Sequence, residues 1–198
     1  MQQHMTDHSH HHDANATDIF GFWIYILSDC ILFATIFAAF AVLRQNLYGQ
    51  VDILKLTDLS YVFIETVALL TSSFTFGMGI LAMYQGKLKA VIHWLMVTFI
   101  LGAIFIGMEF NEFHHLYQDG FSWQSNAALS AFFTLVGTHG LHVSIGLLWI
   151  IASIYQLYQF GLNDVMKKRM VYLGLFWAFL DIIWIFVFTI VYLMGALT

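Results

Sequence analysis

Residues 127–157 read AALSAFFTLVGTHGLHVSIGLLWIIASIYQL, a run without a single Asp, Glu, Lys or Arg. A helix rises 1.5 Å per residue, so about 20 mostly apolar residues cross the roughly 30 Å hydrocarbon core of a bilayer. This run is longer than that, and the helix it predicts must tilt or emerge at one end. Four other runs meet the same criterion: Ile19–Leu43, Tyr61–Met83, Val91–Phe110 and Met170–Leu193. A membrane barrel would alternate apolar and polar residues in short strands, and these runs do not. The fold class is therefore an all-α integral membrane protein, a bundle of five transmembrane helices within residues 19–198.

Composition agrees. Of 198 residues, 60% are hydrophobic and 10% charged, against about 25% charged in an ordinary soluble domain. Proline is absent, where average usage would give roughly ten, and this fits helices without kinks. The single cysteine, Cys30, excludes a disulfide framework. A formal net charge of −5 and the lack of a basic cluster argue against nucleic acid as a partner. Trp23, Tyr25, Tyr84, Trp94, Trp123, Tyr155, Tyr158 and Tyr192 fall near span ends, where aromatic belts are expected.

Residues 1–18 differ from the rest. They are polar, lack Lys and Arg, and carry His4, His8, His10, His11 and His12. A secretory signal needs a basic start and an apolar core, so this segment reads as a retained His-rich tail. Loose divalent-metal binding is one use of such a run; a solvated tail is the plainer one, because nothing fixes a ligand geometry. Lys87, Lys89, Lys167, Lys168 and Arg169 lie in the loops on the N-terminal side, against Arg44 and Lys55 on the other. The positive-inside rule then places the N-terminus in the cytoplasm and the C-terminus in the periplasm.

Ionisable groups inside a bilayer are costly and need partners or a purpose. Asp29 and Asp181 fall midway along the first and fifth spans, and His139 near mid-depth in the fourth, with His142 one turn on. Glu65, Glu109 and Glu112 fall in the outer third. The pairs His139/His142 and Glu109/Glu112 are three apart and share a helix face. These seven groups form a candidate intramembrane polar network, either structural or supporting proton movement. The spacing offers no catalytic residue. A di-iron bundle needs two Glu-x-x-His motifs, and Glu112–His115 supplies one, so no metal site is expected. A haem between two histidines is awkward too, because His93 is offset in depth from His139. Small residues four apart, Ser73/Gly77, Ala103/Gly107 and Gly140/Ser144, have the spacing that lets helices approach closely.

The run Gly137-Thr138-His139-Gly140-Leu141-His142-Val143 with Gly146 resembles the signature of subunit III of the haem-copper oxidases. Glu65 with Leu69, Leu70, Ser72 and Ser73 is similar to that family's carboxylate-bearing helix. Glu109-Phe110-Asn111-Glu112-Phe113 matches its Glu-aromatic-x-Glu segment, and Phe176-Trp177, Phe179, Asp181 and Trp184 match its last helix. Phe20-Gly21-Phe22-Trp23 with Ser28 and Asp29 resembles the form found in quinol oxidases of the cytochrome bo type. The resemblance covers about residues 19–195, and the order of the motifs makes it specific. One departure stands out: Ala178 occupies the place where the family usually has histidine.

The resemblance implies a subunit without redox centres, inside a proton-pumping quinol oxidase that reduces oxygen to water. Haem and copper would sit on the partner catalytic subunit I. This chain would pack against subunit I and other oxidase subunits, bind phospholipid, and support assembly and proton uptake from a bacterial inner membrane. Glu65 and His139 would form the interior polar pair. The same five-helix form also fits subunit III of a cytochrome c oxidase, because the electron donor binds another subunit. A stand-alone proton-coupled transporter is the reading from a different class. It is disfavoured because no internal repeat or broken half-helix is visible.

Overall fold

Asparagine and glycine punctuate the helices. The side chain of Asn126 accepts a hydrogen bond from the Ala128 N–H, and that of Asn163 from the Met166 N–H, so each satisfies a helix-start donor that lacks an intrahelical partner. Gly86, Gly120 and Gly161 take φ values of +70°, +85° and +66°, and the last closes its helix by donating to the Leu157 carbonyl. Glycine adopts this left-handed backbone without the steric penalty of a Cβ.

The computed structural model describes residues 3–44, 59–121, 124 and 126–193, with side chains from residue 17 onward apart from a few loop positions. The elements are α1 (Gln3–Leu43), α2 (Leu59–Tyr84), α3 (Leu88–Gln118), α4 (Ala127–Phe160) and α5 (Asp164–Val187), the last running into a π-helical turn, Phe188–Leu193. Among the described residues, five helices are long and apolar enough to cross a membrane. The chain is a multi-pass membrane protein of all-α class.

Two boundaries differ from those read off hydropathy. The apolar run of α3 ends at Phe110, yet the helix continues to Gln118. No glycine or proline intervenes before Gly120, and Glu112 and Leu116 stay buried on its inner face. The helix of α1 extends back to Gln3 through the polar segment, which also lacks glycine and proline; its apolar span begins at Thr17. Lys55 and Trp123 lie outside the described residues.

The chain divides into two units, residues 1–35 and 36–198. The first is the greater part of α1, one unbroken helix. In the second, α2 packs on α3 and α5, and α4 packs on α3 and α5, so four helices close a ring around a common core. The end of α1 belongs to this unit too: Phe37 meets Phe186 edge-on, and the Arg44 guanidinium donates to the Ile190 carbonyl in the π-helical turn.

Glycines set the spacing of the ring, though not chiefly those in the small-residue pairs. A Cβ on Gly77 or Gly107 would meet nothing within 4 Å. The close approaches fall at Gly102 and Gly146, where the Trp177 indole fills the space a Cβ would need, and at Gly174 against Phe76. Gly140 is the member of a predicted pair that does sit in a tight contact, against the Glu109 carboxylate. Trp23, Tyr25, Tyr84, Tyr155 and Tyr158 are exposed, as interfacial aromatics should be. Tyr192 is not among them; it is buried in the core.

Candidate functional site

Four elements bring the core polar residues together. Glu65 lies six residues into α2, and Glu112 six residues before the end of α3, so both sit about 9 Å from the same end of the ring. Glu109 is one turn deeper. His139 projects from α4, and Trp184 and Tyr192 come from α5 and its π-helical turn. Glu65 and His139 have no exposed surface, and Glu109, Glu112, Trp184 and Tyr192 are all buried.

The three glutamates interact electrostatically: Glu65 with Glu112, and Glu109 with both. The Tyr192 hydroxyl faces all three and donates to the Glu112 carboxylate at 3.3–3.4 Å. Neither oxygen of Glu65 accepts a hydrogen bond, nor does Oε1 of Glu109. Every lysine and arginine in the sequence lies outside the apolar runs. Burying acids this way is expensive.

His139 is held by aromatic rings. It stacks on Trp184 with centroids 5.1 Å apart, while Phe105 meets both rings edge-on at 5.9 and 4.7 Å. Glu65, the other member of the interior polar pair that the resemblance implies, has both carboxyl oxygens without a hydrogen-bond donor. His142 turns back onto its own helix, with Nδ1 2.7 Å from the Thr138 carbonyl. Asp181 is buried beside Ser73 of α2. Asp29, in the first unit, is hydrogen-bonded to Tyr25 one turn earlier. The structure therefore gathers Glu65, Glu109 and Glu112 about Tyr192, sets His139 among aromatic rings with His142 nearby, and places Asp181 beside Ser73.

Two indole relays tie α5 to α2. The Trp177 N–H donates to Ser72 Oγ and the Trp184 N–H to Thr66 Oγ1, each at 3.0 Å. Each hydroxyl passes its own proton on to a carbonyl of its helix, Leu69 or Val62. Thr75 and Thr98 share a hydrogen bond of 2.8 Å between α2 and α3. Interhelical bonds of this kind average about 0.6 kcal/mol in membranes. The part played by Tyr192 was missed in the sequence.

Among the described residues, no three His, Cys, Asp or Glu side chains converge in a way that would hold a metal ion. The arrangement can bind the helices together through its interhelical hydrogen bonds and stacked rings.

The chain is similar to known proteins over almost its whole length. The cytochrome c oxidase subunit III family matches residues 2–196, and the chain belongs to that family. Subunit 3 of cytochrome bo(3) ubiquinol oxidase from Pseudomonas aeruginosa is 52% identical over 191 residues, covering 96% of this chain and 91% of its own length. The quinol oxidase subunit 3 of Bacillus spizizenii is 42% identical over 199 residues, covering 96% and 98%. The cytochrome c oxidase subunit 3 of Bacillus subtilis is also 42% identical, over 182 residues, covering 88% and 85%.

Proposed function

We propose that this chain is the subunit III of a quinol oxidase, a redox-silent member of a complex that oxidises quinol and reduces oxygen to water. The observation that carries this is the 52% identity to a cytochrome bo(3) ubiquinol oxidase subunit 3 across nearly the whole of both chains. Identity to a cytochrome c oxidase subunit 3 stands ten points lower, 42% against 52%. Haem and copper belong to a partner catalytic subunit I. This chain packs against that partner and neighbouring subunits in a bacterial inner membrane and contributes phospholipid-binding surface, assembly and steady proton supply.

The excess of basic residues in the loops on the N-terminal side favours a cytoplasmic N-terminus and a periplasmic C-terminus. In that orientation the cluster of Glu65, Glu109 and Glu112 lies in the periplasmic half. Its main work is then to fix the ring, together with the Trp177 and Trp184 relays. Asp29 and Asp181, at mid-depth, are the carboxyl groups nearer the uptake side. A strain lacking this chain tests the proposal through quinol-driven oxygen consumption, haem content and protons moved per electron. The expected result is an oxidase that retains haem yet assembles poorly or loses activity faster during turnover. Unchanged assembly, pumping and inactivation rate would overturn it.

A further inference from the structure

The outer side of α3 and α4 carries a groove of about 270 Å³. Ile106, Glu109 and Phe113 form its α3 wall, and Gly137, Gly140 and Ser144 its α4 wall. Both sets follow the same i, i+3, i+7 spacing, so each wall is one face of its helix over two turns, about 10 Å long. The α4 wall is built of small residues, which let another backbone come close. A Cβ on Gly137 would meet nothing within 4 Å. Phe110 and Leu141, which also line the groove, are 69% and 60% exposed, so the apolar surface continues outward on both sides.

One polar group marks the groove. Glu109 is only 3% exposed, its carboxylate lies where a Cβ on Gly140 would sit, and Oε1 accepts no hydrogen bond. Ser144 does not supply a donor, since its hydroxyl is used on the Gly140 carbonyl. The groove is thus apolar, narrow and lined by the faces of two antiparallel helices, with one unmet acceptor at its floor. Its volume is at the lower edge of the roughly 300–1,000 Å³ of small-molecule sites. It suits side chains from a helix laid along it.

We propose that the α3–α4 groove seats a transmembrane helix of a neighbouring oxidase subunit, which presents a hydrogen-bond donor side chain (hydroxyl, amide, indole or basic) to Glu109. This rests on the chain's place in an oxidase complex. An interhelical donor would offset part of the cost of burying the carboxylate, and the glycine wall would let the visiting backbone approach it.

The test replaces exposed Phe110 by the photoreactive aromatic p-benzoylphenylalanine and irradiates native membranes holding the whole complex. Haem content is measured on the same purified sample. The expected product is an adduct of this chain with another oxidase polypeptide, mapped to a transmembrane segment of that partner. In the same background Glu109→Gln, which keeps an acceptor oxygen, should leave the adduct yield near the starting level. Glu109→Leu strands the partner's donor and should lower it by about fivefold or more. A haem-containing sample that gives adducts with phospholipid or quinone alone, or none, would overturn the helix seat while leaving the oxidase role intact. Equal yields from Glu109→Gln and Glu109→Leu would overturn the hydrogen bond. A chain that arrives without haem and without an adduct would overturn the oxidase role and the groove together.

Discussion

Substituting Gly146 by alanine should destabilise the ring far more than the same change at Gly137, although both glycines belong to one helix. A Cβ at 146 would lie 2.9 Å from Trp177 Cζ3, 3.1 Å from Cε3 and 3.3 Å from Phe176 Cε1, against the roughly 3.5–4.0 Å of ordinary carbon contact. The indole has nowhere to retreat. Its other edge fills the space beside Gly102, where a Cβ would come within 3.0 Å of Cη2, and its N–H is bonded to Ser72. Overpacking of this kind costs about 1–3 kcal/mol, or roughly a 5- to 150-fold shift toward the unfolded side at 1.4 kcal/mol per decade. At Gly137 the added methyl meets open space, so the cost there should stay within about 0.5 kcal/mol. Unfolding in mild detergent with increasing dodecyl sulfate, followed by tryptophan fluorescence, measures both. Adding Trp177→Phe to Gly146→Ala should recover part of the loss, because the ring atoms in conflict are gone and the two sites are coupled. Equal stability of the two alanine variants, or strict additivity with Trp177→Phe, would refute the indole-in-glycine packing.

Trp184→Phe removes one relay to Thr66 and should cost about 0.6 kcal/mol beyond any loss of stacking on His139; the same titration checks it, and Thr66→Val should cost little more in that background. Tyr192→Phe removes only the long contact with Glu112, so its effect should stay near or below about 0.6 kcal/mol, read from the same curve. Asn163→Ala strips the cap from the Met166 N–H and should lower stability by about 1 kcal/mol, while Asn163→Ser should hold most of it; helix content and unfolding midpoint report both. Gly140→Ala should be milder than Gly146→Ala, since its clash is with the end of the flexible Glu109 side chain. Comparing the two midpoints decides it.

The five helices were legible because a bilayer demands long apolar runs, and length alone is decisive there. The extension of α3 was not, because Asn111, Glu112, His114 and His115 lower the hydropathy without breaking the backbone helix. Glu109 and Glu112, three apart on α3, are both buried. Which groups then meet depends on how each helix is rotated in the ring, and hydropathy does not encode rotation. Hence Glu65 and His139 are both buried as expected yet are not hydrogen-bonded to each other: the imidazole lies against Trp184 and Phe105 instead. The glycines teach the same lesson. Spacing of four singled out Gly77 and Gly107, which meet open space, whereas Gly102 and Gly146 matter because Trp177, far along the sequence on α5, packs against them both.

The most direct test of an oxidase role is to solubilise native membranes in mild detergent, capture this chain, and record the visible spectrum beside the co-purifying polypeptides. Haem absorbance should arrive with a larger many-helix partner and disappear when this chain is stripped away alone. A colourless chain that purifies by itself, folded and stable, would contradict that role and turn attention to its buried acids as a transporter's own relay.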